Sequence, residues 1–310
     1  ILAGAAGDIH PPGYYLVLKL WRGALGQSEW ALRSLSAFAG VVTVALIVRL
    51  GRELFGRRAA LFAGLFAALH PALIYYSQEA RMYSLLAALS CASLLLTLRF
   101  LRHRLGILDF GLWILIVAAG LYTHYAFGLV LLAESAVVAL AVLTLKGANF
   151  KLQTSNVKVH VSRFTFHVSR FTFHPPRFTH WLLLQLAALL LFLPWLPTAV
   201  RQLTTWPGAD SPLSFWKSLA GMGGWLLAGP FYRFAALPLL LVGALLVALS
   251  VFVARNQSRS PVRPASFFLL PLLLPPAVLL AFGVFSEPSA KFLIVSVPAL
   301  CLILGAGAAT

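Results

Sequence analysis

Charge is what this chain of 310 residues has least of: Asp, Glu, Lys and Arg together make up 10% of it, and only eight of those residues are acids. A soluble globular domain carries about 25% charged residues, so that class is excluded. Cysteine is almost as scarce. Cys91 and Cys301 are the two present, both lie inside apolar runs, and no disulfide framework is implied. A leading methionine and a signal peptide are also missing, since the chain starts at Ile1 and reaches a polar motif by Asp8 with no span before it. The expectation is an N-terminally truncated fragment.

What is present is apolar surface. With 60% apolar residues and a mean hydropathy of +0.89, the chain reads as an all-α polytopic membrane protein. The formal charge of +16 does not indicate nucleic acid, because the basic residues form short clusters between apolar runs of bilayer length. Nine candidate spans follow: Ala31 to Leu50, Ala59 to Tyr76, Tyr83 to Leu101, Asp109 to Thr123, Phe127 to Leu145, Leu182 to Val200, Phe234 to Val253, Phe267 to Phe285 and Phe292 to Ala309. Pro11 to Leu25 is too short to cross and reads as an interfacial helix, with Tyr14, Tyr15 and Trp21 at headgroup level. All 310 residues make one transmembrane domain, with an outer motif and interfacial helix over 1–30, a loop over 146–180 and another over 201–233.

Orientation follows from the basic residues. One set of alternate connections holds sixteen of the 24 Lys and Arg, which makes that side the cytoplasm. The opposite side holds Asp8, Glu29, Glu79, Asp210 and Glu287, all eight tyrosines and six of the eight tryptophans. An aromatic belt normally rims both faces. A one-sided tyrosine distribution, with acids and His124 interleaved, therefore points to a lined cavity on the outer face rather than to helix anchors alone.

Two motifs stand out on that face. Ser77-Gln78-Glu79-Ala80-Arg81-Met82-Tyr83 places a carboxylate, a guanidinium and a phenol within five residues between two apolar runs. Asp8-Ile9-His10-Pro11-Pro12 holds an acid and an imidazole in extended chain, because the proline pair stops a helix from running through. Asp8 reads equally well as a functional carboxylate or as an acid favoured by the dipole of the following helix.

These motifs, with Gly51-Arg52-Glu53-Leu54-Phe55-Gly56-Arg57-Arg58, Tyr75-Tyr76 and Tyr122-Thr123-His124-Tyr125 in the same order, resemble bacterial members of glycosyltransferase family 39. That group contains dolichyl-phosphate-mannose protein mannosyltransferases and lipid A aminoarabinose transferase. The resemblance is strongest from Asp8 to Tyr125, and Leu193-Pro194-Trp195-Leu196-Pro197 and Ser289 to Pro298 extend it weakly. It implies a GT-C fold and inverting transfer of a sugar from a polyprenyl-phosphate donor to a lipid, protein or glycan acceptor outside the cytoplasm, in a plasma (inner) membrane protein. It also implies an Asp-Glu pair in a first outer loop, which these residues do not contain, so the fragment is expected to be inactive alone. Where the family often has Arg-Tyr, this chain has Lys291-Phe292, keeping the charge but losing the bidentate fork.

The chemistry can also be argued from the residues. A lipid phosphate leaving group gains negative charge at headgroup depth, so His10, Arg81, Tyr83, His124 and Lys291 are candidate donor-phosphate ligands. A hydroxyl acceptor needs a carboxylate to take its proton, and Asp8 and Glu79 are the candidates, as base or as ligands of a divalent cation. The bland readings are a snorkelling Arg81 neutralised by Glu79 and a helix-capping His124. Glu134 lies alone mid-span and reads as hydrogen-bonded to a neighbouring helix. Residues 201–233 read as either a lid or a surface helix. The two copies of His-Val-Ser-Arg-Phe-Thr-Phe from His160 to Phe173 read as low-complexity insertion and not as a metal site. The rival class, a transporter or lipid-linked sugar flippase, calls for ionisable groups near the midplane and repeated spans, whereas the ionisable residues here crowd one face.

Overall fold

A computed structural model describes residues 2–7, 9–102, 105–152, 178–205, 213–234, 243, 264–286 and 289–309. The regular structure of the described residues is all helix, without a strand. After a short α1 (Leu2–Gly7) come α2 (Gly13–Leu25), α3 (Glu29–Phe55), α4 (Arg57–Leu69), α5 (Pro71–Ser77), α6 (Tyr83–Leu101), α7 (Ile107–Thr123) and α8 (Phe127–Leu152). The second half contains α9 (Phe178–Phe192), α10 (Leu196–Thr204), α11 (Phe215–Ala228), α12 (Pro264–Ala281) and α13 (Val297–Ala308).

Among the described residues four helices are long and apolar enough to cross a membrane, namely Glu29–Phe55, Tyr83–Leu101, Phe178–Thr204 and Ala290–Ala308. The bent pair α4 and α5 makes a fifth if it counts as one span, and Leu108–Thr123, Phe127–Leu143 and Phe267–Ala281 are shorter apolar helices. Eight of the nine expected spans fall on these helices; the span expected at Phe234 to Val253 lies outside the described residues apart from its first residue and Gly243. So do residues 153–177, which hold the repeated heptapeptide.

The centre of the bundle is α6, buried along its length, with α3, α7 and α8 against it and α4 packed between α3 and α13. In a bilayer, apolar burial between helices gains nothing over lipid, so polar bonds and close approach fix the arrangement. Three prolines inside α12 show how. Pro275 has no N–H for the carbonyl of Pro271, and that carbonyl instead accepts from Ser296 Oγ at 3.0 Å, tying α12 to the 3₁₀ turn Ala290–Ser296 that leads into α13. Glu134, completely buried, accepts from Ser93 Oγ on α6 at 2.9 Å. Its other carboxyl oxygen has no hydrogen-bond partner.

One expected span is interrupted. Ala59 to Tyr76 is not one straight helix, because Pro71 cannot donate an N–H inside it and the chain bends by 57° at His70. His70 caps the second piece, its Nδ1 accepting from the Ala72 N–H at 3.2 Å while Nε2 donates to the Leu226 carbonyl at 2.8 Å. Gly229 packs here at φ +56°, where a Cβ would stand 2.6 Å from the Ala72 nitrogen, so only glycine fits. The run through Leu182 to Val200 only tightens into the 3₁₀ turn Leu193–Trp195 between α9 and α10 and stays within the single span Phe178–Thr204. Residues 215–228, read as a lid or a surface helix, form α11, whose Trp225 and Met222 are buried and which packs on α5 and the turn at Ala290.

Candidate functional site

The end of the bundle at which α6 begins collects residues far apart in sequence. The bend ending α5 and the tight turn 78–82 bring Glu79 and Arg81 to the start of α6, with the Arg81 N–H donating to the Glu79 carbonyl at 2.8 Å. Ser36 on α3 secures this turn by donating from Oγ to the Arg81 carbonyl at 3.2 Å. That contact joins residues 45 apart, and nothing in the sequence marks Ser36 for it.

Tyr83, the first residue of α6, is buried against Tyr76, with ring centroids 4.8 Å apart. Tyr76 in turn faces Trp225 of α11 at 6.3 Å. The Lys291 ammonium sits 5.3 Å from the centre of the Tyr83 ring, a cation–π arrangement. Glu79 and Arg81 are both within electrostatic reach of Lys291. Arg81 also lies close to the Tyr83 hydroxyl without closing a hydrogen bond of normal geometry, and that hydroxyl is buried and unpartnered. Glu79 and Arg81 form no ion pair with each other, so mutual neutralisation does not describe them.

His124 arrives from the turn between α7 and α8. Its Nδ1 accepts from the Ala126 N–H at 3.0 Å, which assigns the ring proton to Nε2. Nε2 is buried and has no hydrogen-bond partner, and the whole residue is 2% exposed. Burial, reinforced by His10 and Lys291, pushes the imidazole down to about 3, so it is neutral across the physiological range. Its ring lies 5.8 Å from Tyr83, 5.7 Å from His10 and 4.9 Å from Phe292. The capping reading of His124 and a place in the site hold together, one ring nitrogen serving each.

His10 comes from the N-terminal side. Residues 9–12 are non-helical and α2 starts only at Gly13, as the proline pair implied. A Cβ on Gly13 would stand 2.5 Å from the Tyr122 carbonyl oxygen, so glycine lets α2 touch the end of α7 and sets His10 beside His124. Asp8 lies outside the described residues.

The structure therefore gathers His10, Glu79, Arg81, Tyr83, His124 and Lys291 around one aromatic cluster. Tyr76, Phe292 and Trp225 belong to the same cluster; the first two stand in motifs read from the sequence, and Trp225 was noted there only as part of the segment 201–233. Tyr122 and Tyr125 behave otherwise than the cavity reading expected: the Tyr122 hydroxyl donates to the Leu191 carbonyl at 3.1 Å, and Tyr125 bonds to Gln202, so both brace helix ends. Among the described residues no three metal-ligating side chains converge. Chemically, the cluster offers cations, a phenol and a neutral N–H donor beside one carboxylate, an environment suited to an anion with an attached hydroxylated group.

Comparison with known proteins agrees with the architecture. ArnT from Cupriavidus metallidurans, solved bound to undecaprenyl phosphate, superposes with a TM-score of 0.60 at 17% identity, over 96% of this chain. The chain spans 49% of the length of that protein. The shared arrangement is the GT-C-like helical bundle expected from the motifs. No match was found among curated proteins. A family model described as dolichyl-phosphate-mannose-protein mannosyltransferase matches residues 9–168, just over half of the chain, and so this chain belongs to that family of membrane glycosyltransferases.

Proposed function

We propose that this protein transfers a sugar, a mannose-like hexose or a pentose, from a polyprenyl-phosphate donor to an acceptor on the outer face of the plasma membrane. The observation that carries the reading is the convergence of His10, Arg81, Tyr83, His124 and Lys291, drawn from four separate segments, at the end of the bundle opposite the arginine-rich connections. As the bond between the anomeric carbon and the phosphate oxygen breaks, the phosphate gains charge at headgroup depth. Arg81 and Lys291 supply the compensating charge, and Tyr83 Oη and His124 Nε2–H supply neutral donors. A neutral His124 suits this role because it can donate without adding another desolvated cation beside Lys291.

Glu79, with Asp8 from the N-terminal arm, is the carboxylate source for removing the acceptor hydroxyl proton. The polyprenyl chain would lie along the apolar flank of the bundle, and the acceptor would approach from the aqueous side. The ArnT structure supports this reading, since it holds a polyprenyl phosphate in the same fold.

The decisive experiment supplies the complete gene product in proteoliposomes with radiolabelled polyprenyl-phosphate sugars, beside Glu79→Ala. Transfer of label by the wild type and its loss in the variant are expected. Full transfer in both Glu79→Ala and Asp8→Ala would refute the site assignment, and movement of lipid or sugar across the bilayer without transfer would make the protein a transporter.

A further inference from the structure

The stretch Leu193-Pro194-Trp195-Leu196-Pro197 and the helix after it play no part in the site as described so far. Pro194 and Pro197 sit at the first positions of the 3₁₀ turn and of α10, the places a helix start tolerates proline. Trp195, Ala199 and Gln202 then recur at intervals of four and three residues, which puts them on one helical face. That face is buried, whereas Val200 and Leu203 are exposed.

Gln202, only 3% exposed, ends this face with an amide bonded on both sides. Its Nε2 donates to the Ala5 carbonyl at 2.7 Å, and its Oε1 accepts a short hydrogen bond from Tyr125 Oη. The same hydroxyl accepts from Trp195 Nε1 at 3.1 Å. The orientation is forced. Tyr125 Oη has one proton to give, the indole already occupies it as an acceptor, and a backbone carbonyl can only accept, so the amide must turn its oxygen to Tyr125 and its NH₂ to Ala5.

The two partners belong to the two arms of the site. Tyr125 directly follows His124, and Ala5, itself 4% exposed, lies three residues before Asp8 and five before His10. We propose that Gln202 is a positioning residue that fixes the His124 turn and the arm leading to His10 to one helix. The role rests on the glycosyl-transfer reading above. Leucine at 202 breaks both bonds, while glutamate keeps an acceptor for Tyr125 and loses the donor to Ala5.

The test uses the complete gene product in proteoliposomes with a donor that supports wild-type transfer. Gln202→Leu is expected to lower kcat by about ten-fold or more, because a misplacement of roughly 1 Å at the reacting groups can cost about 100-fold. The donor KM should stay near wild type. Gln202→Glu should fall between the two. Gln202→Leu combined with Tyr125→Phe should be no slower than Gln202→Leu alone, since both remove the same link. Equal kcat in wild type and Gln202→Leu, with Glu79→Ala inactive, overturns the positioning role and leaves the functional reading intact. If no donor supports transfer by the wild type, the functional reading falls and this role falls with it.

A readout without catalysis tests the tether itself. Ala5→Cys should react slowly with a maleimide, and the fully buried Cys91 and Cys301 give little background. Adding Gln202→Leu should speed labelling by about five-fold or more as the arm opens locally. An unchanged labelling rate overturns the proposal.

Discussion

The two ends of the bundle hold charge in opposite ways. At the end where α3 and α6 finish, Glu53 receives Arg49 at 2.9 Å, Arg102 at 3.8 Å and Arg99 at 3.9 Å. Arg99 also faces Asp109 of α7 at 3.9 Å, and Arg102 donates to the Glu53 carbonyl at 2.9 Å. Charges there pair with each other and lock three helices. At the other end, Arg81 and Lys291 stand among aromatic rings with Glu79 near but unpaired to Arg81, and the Tyr83 hydroxyl and His124 Nε2 have no hydrogen-bond partner. The difference separates structure from chemistry. At the basic end the charges answer one another, whereas at the other end the proposed donors Tyr83 Oη and His124 Nε2 are held in place by neighbouring groups and stay open themselves.

If that contrast is right, equal insults at the two ends should have different readouts. Lys291→Ala should cut transfer by about 100-fold, the scale of losing one donor to a developing charge. Its thermal unfolding in detergent should hardly change, because no ion pair is broken. Glu53→Ala should do the reverse, lowering stability by about 2 kcal/mol as the partly buried Arg99 and Arg102 and the exposed Arg49 lose their shared acceptor, with activity per folded molecule retained. Thermal melts and transfer assays on both variants check the comparison. A stability loss in Lys291→Ala matching that of Glu53→Ala would erase it.

A middle-sized effect concerns the bend that delivers Glu79 and Arg81. His70→Leu removes the cap on Ala72 and leaves the Leu226 carbonyl without its donor. Each loss costs about 1 kcal/mol, so the melting temperature should fall by several degrees. Gln, which can donate to Leu226 but caps poorly, should recover part of it. Transfer should fall in proportion to the displacement of α11, whose Trp225 backs Tyr76.

Much of this was readable from residue patterns. Alternating apolar runs and basic clusters locate the spans, the proline pair at 11 and 12 announces a helix break just ahead of α2, and Tyr-Ser-Gln-Glu-Ala-Arg-Met-Tyr declares polar chemistry at a helix junction. The bend at His70 was missed because a proline after a histidine inside an apolar run looks the same whether the helix breaks or merely kinks, and the deciding partner, Leu226, is 156 residues away. Hydropathy cannot see such partners. The same applies to Gln202, an ordinary polar residue near a helix end until Ala5 and Tyr125 are known to meet it. Sequence places His124 at the right helix junction but cannot show that its two nitrogens have different tasks.

The smallest expected effect follows from those two tasks. His124 is held well below the ordinary histidine range, at about 3, by burial and then by His10 and Lys291. For a base whose folded-state value is depressed, stability is complete above the unfolded value of about 6.5 and declines as pH falls from there towards about 3. His124→Gln keeps a carbonyl for the Ala126 N–H and an NH₂ in place of Nε2–H, but cannot titrate. Wild type should therefore lose melting temperature relative to this variant by a few degrees between pH 6.5 and 4.5, and the two should run parallel above pH 7. Transfer measured in the same series should show no inflection near pH 6.5 that disappears in the variant, because the neutral donor is the working form throughout. Such an inflection would mean that His124 works as an imidazolium, in which case the open end of the bundle adds a third cation for its anion and the neutral-donor role given to Nε2 is wrong.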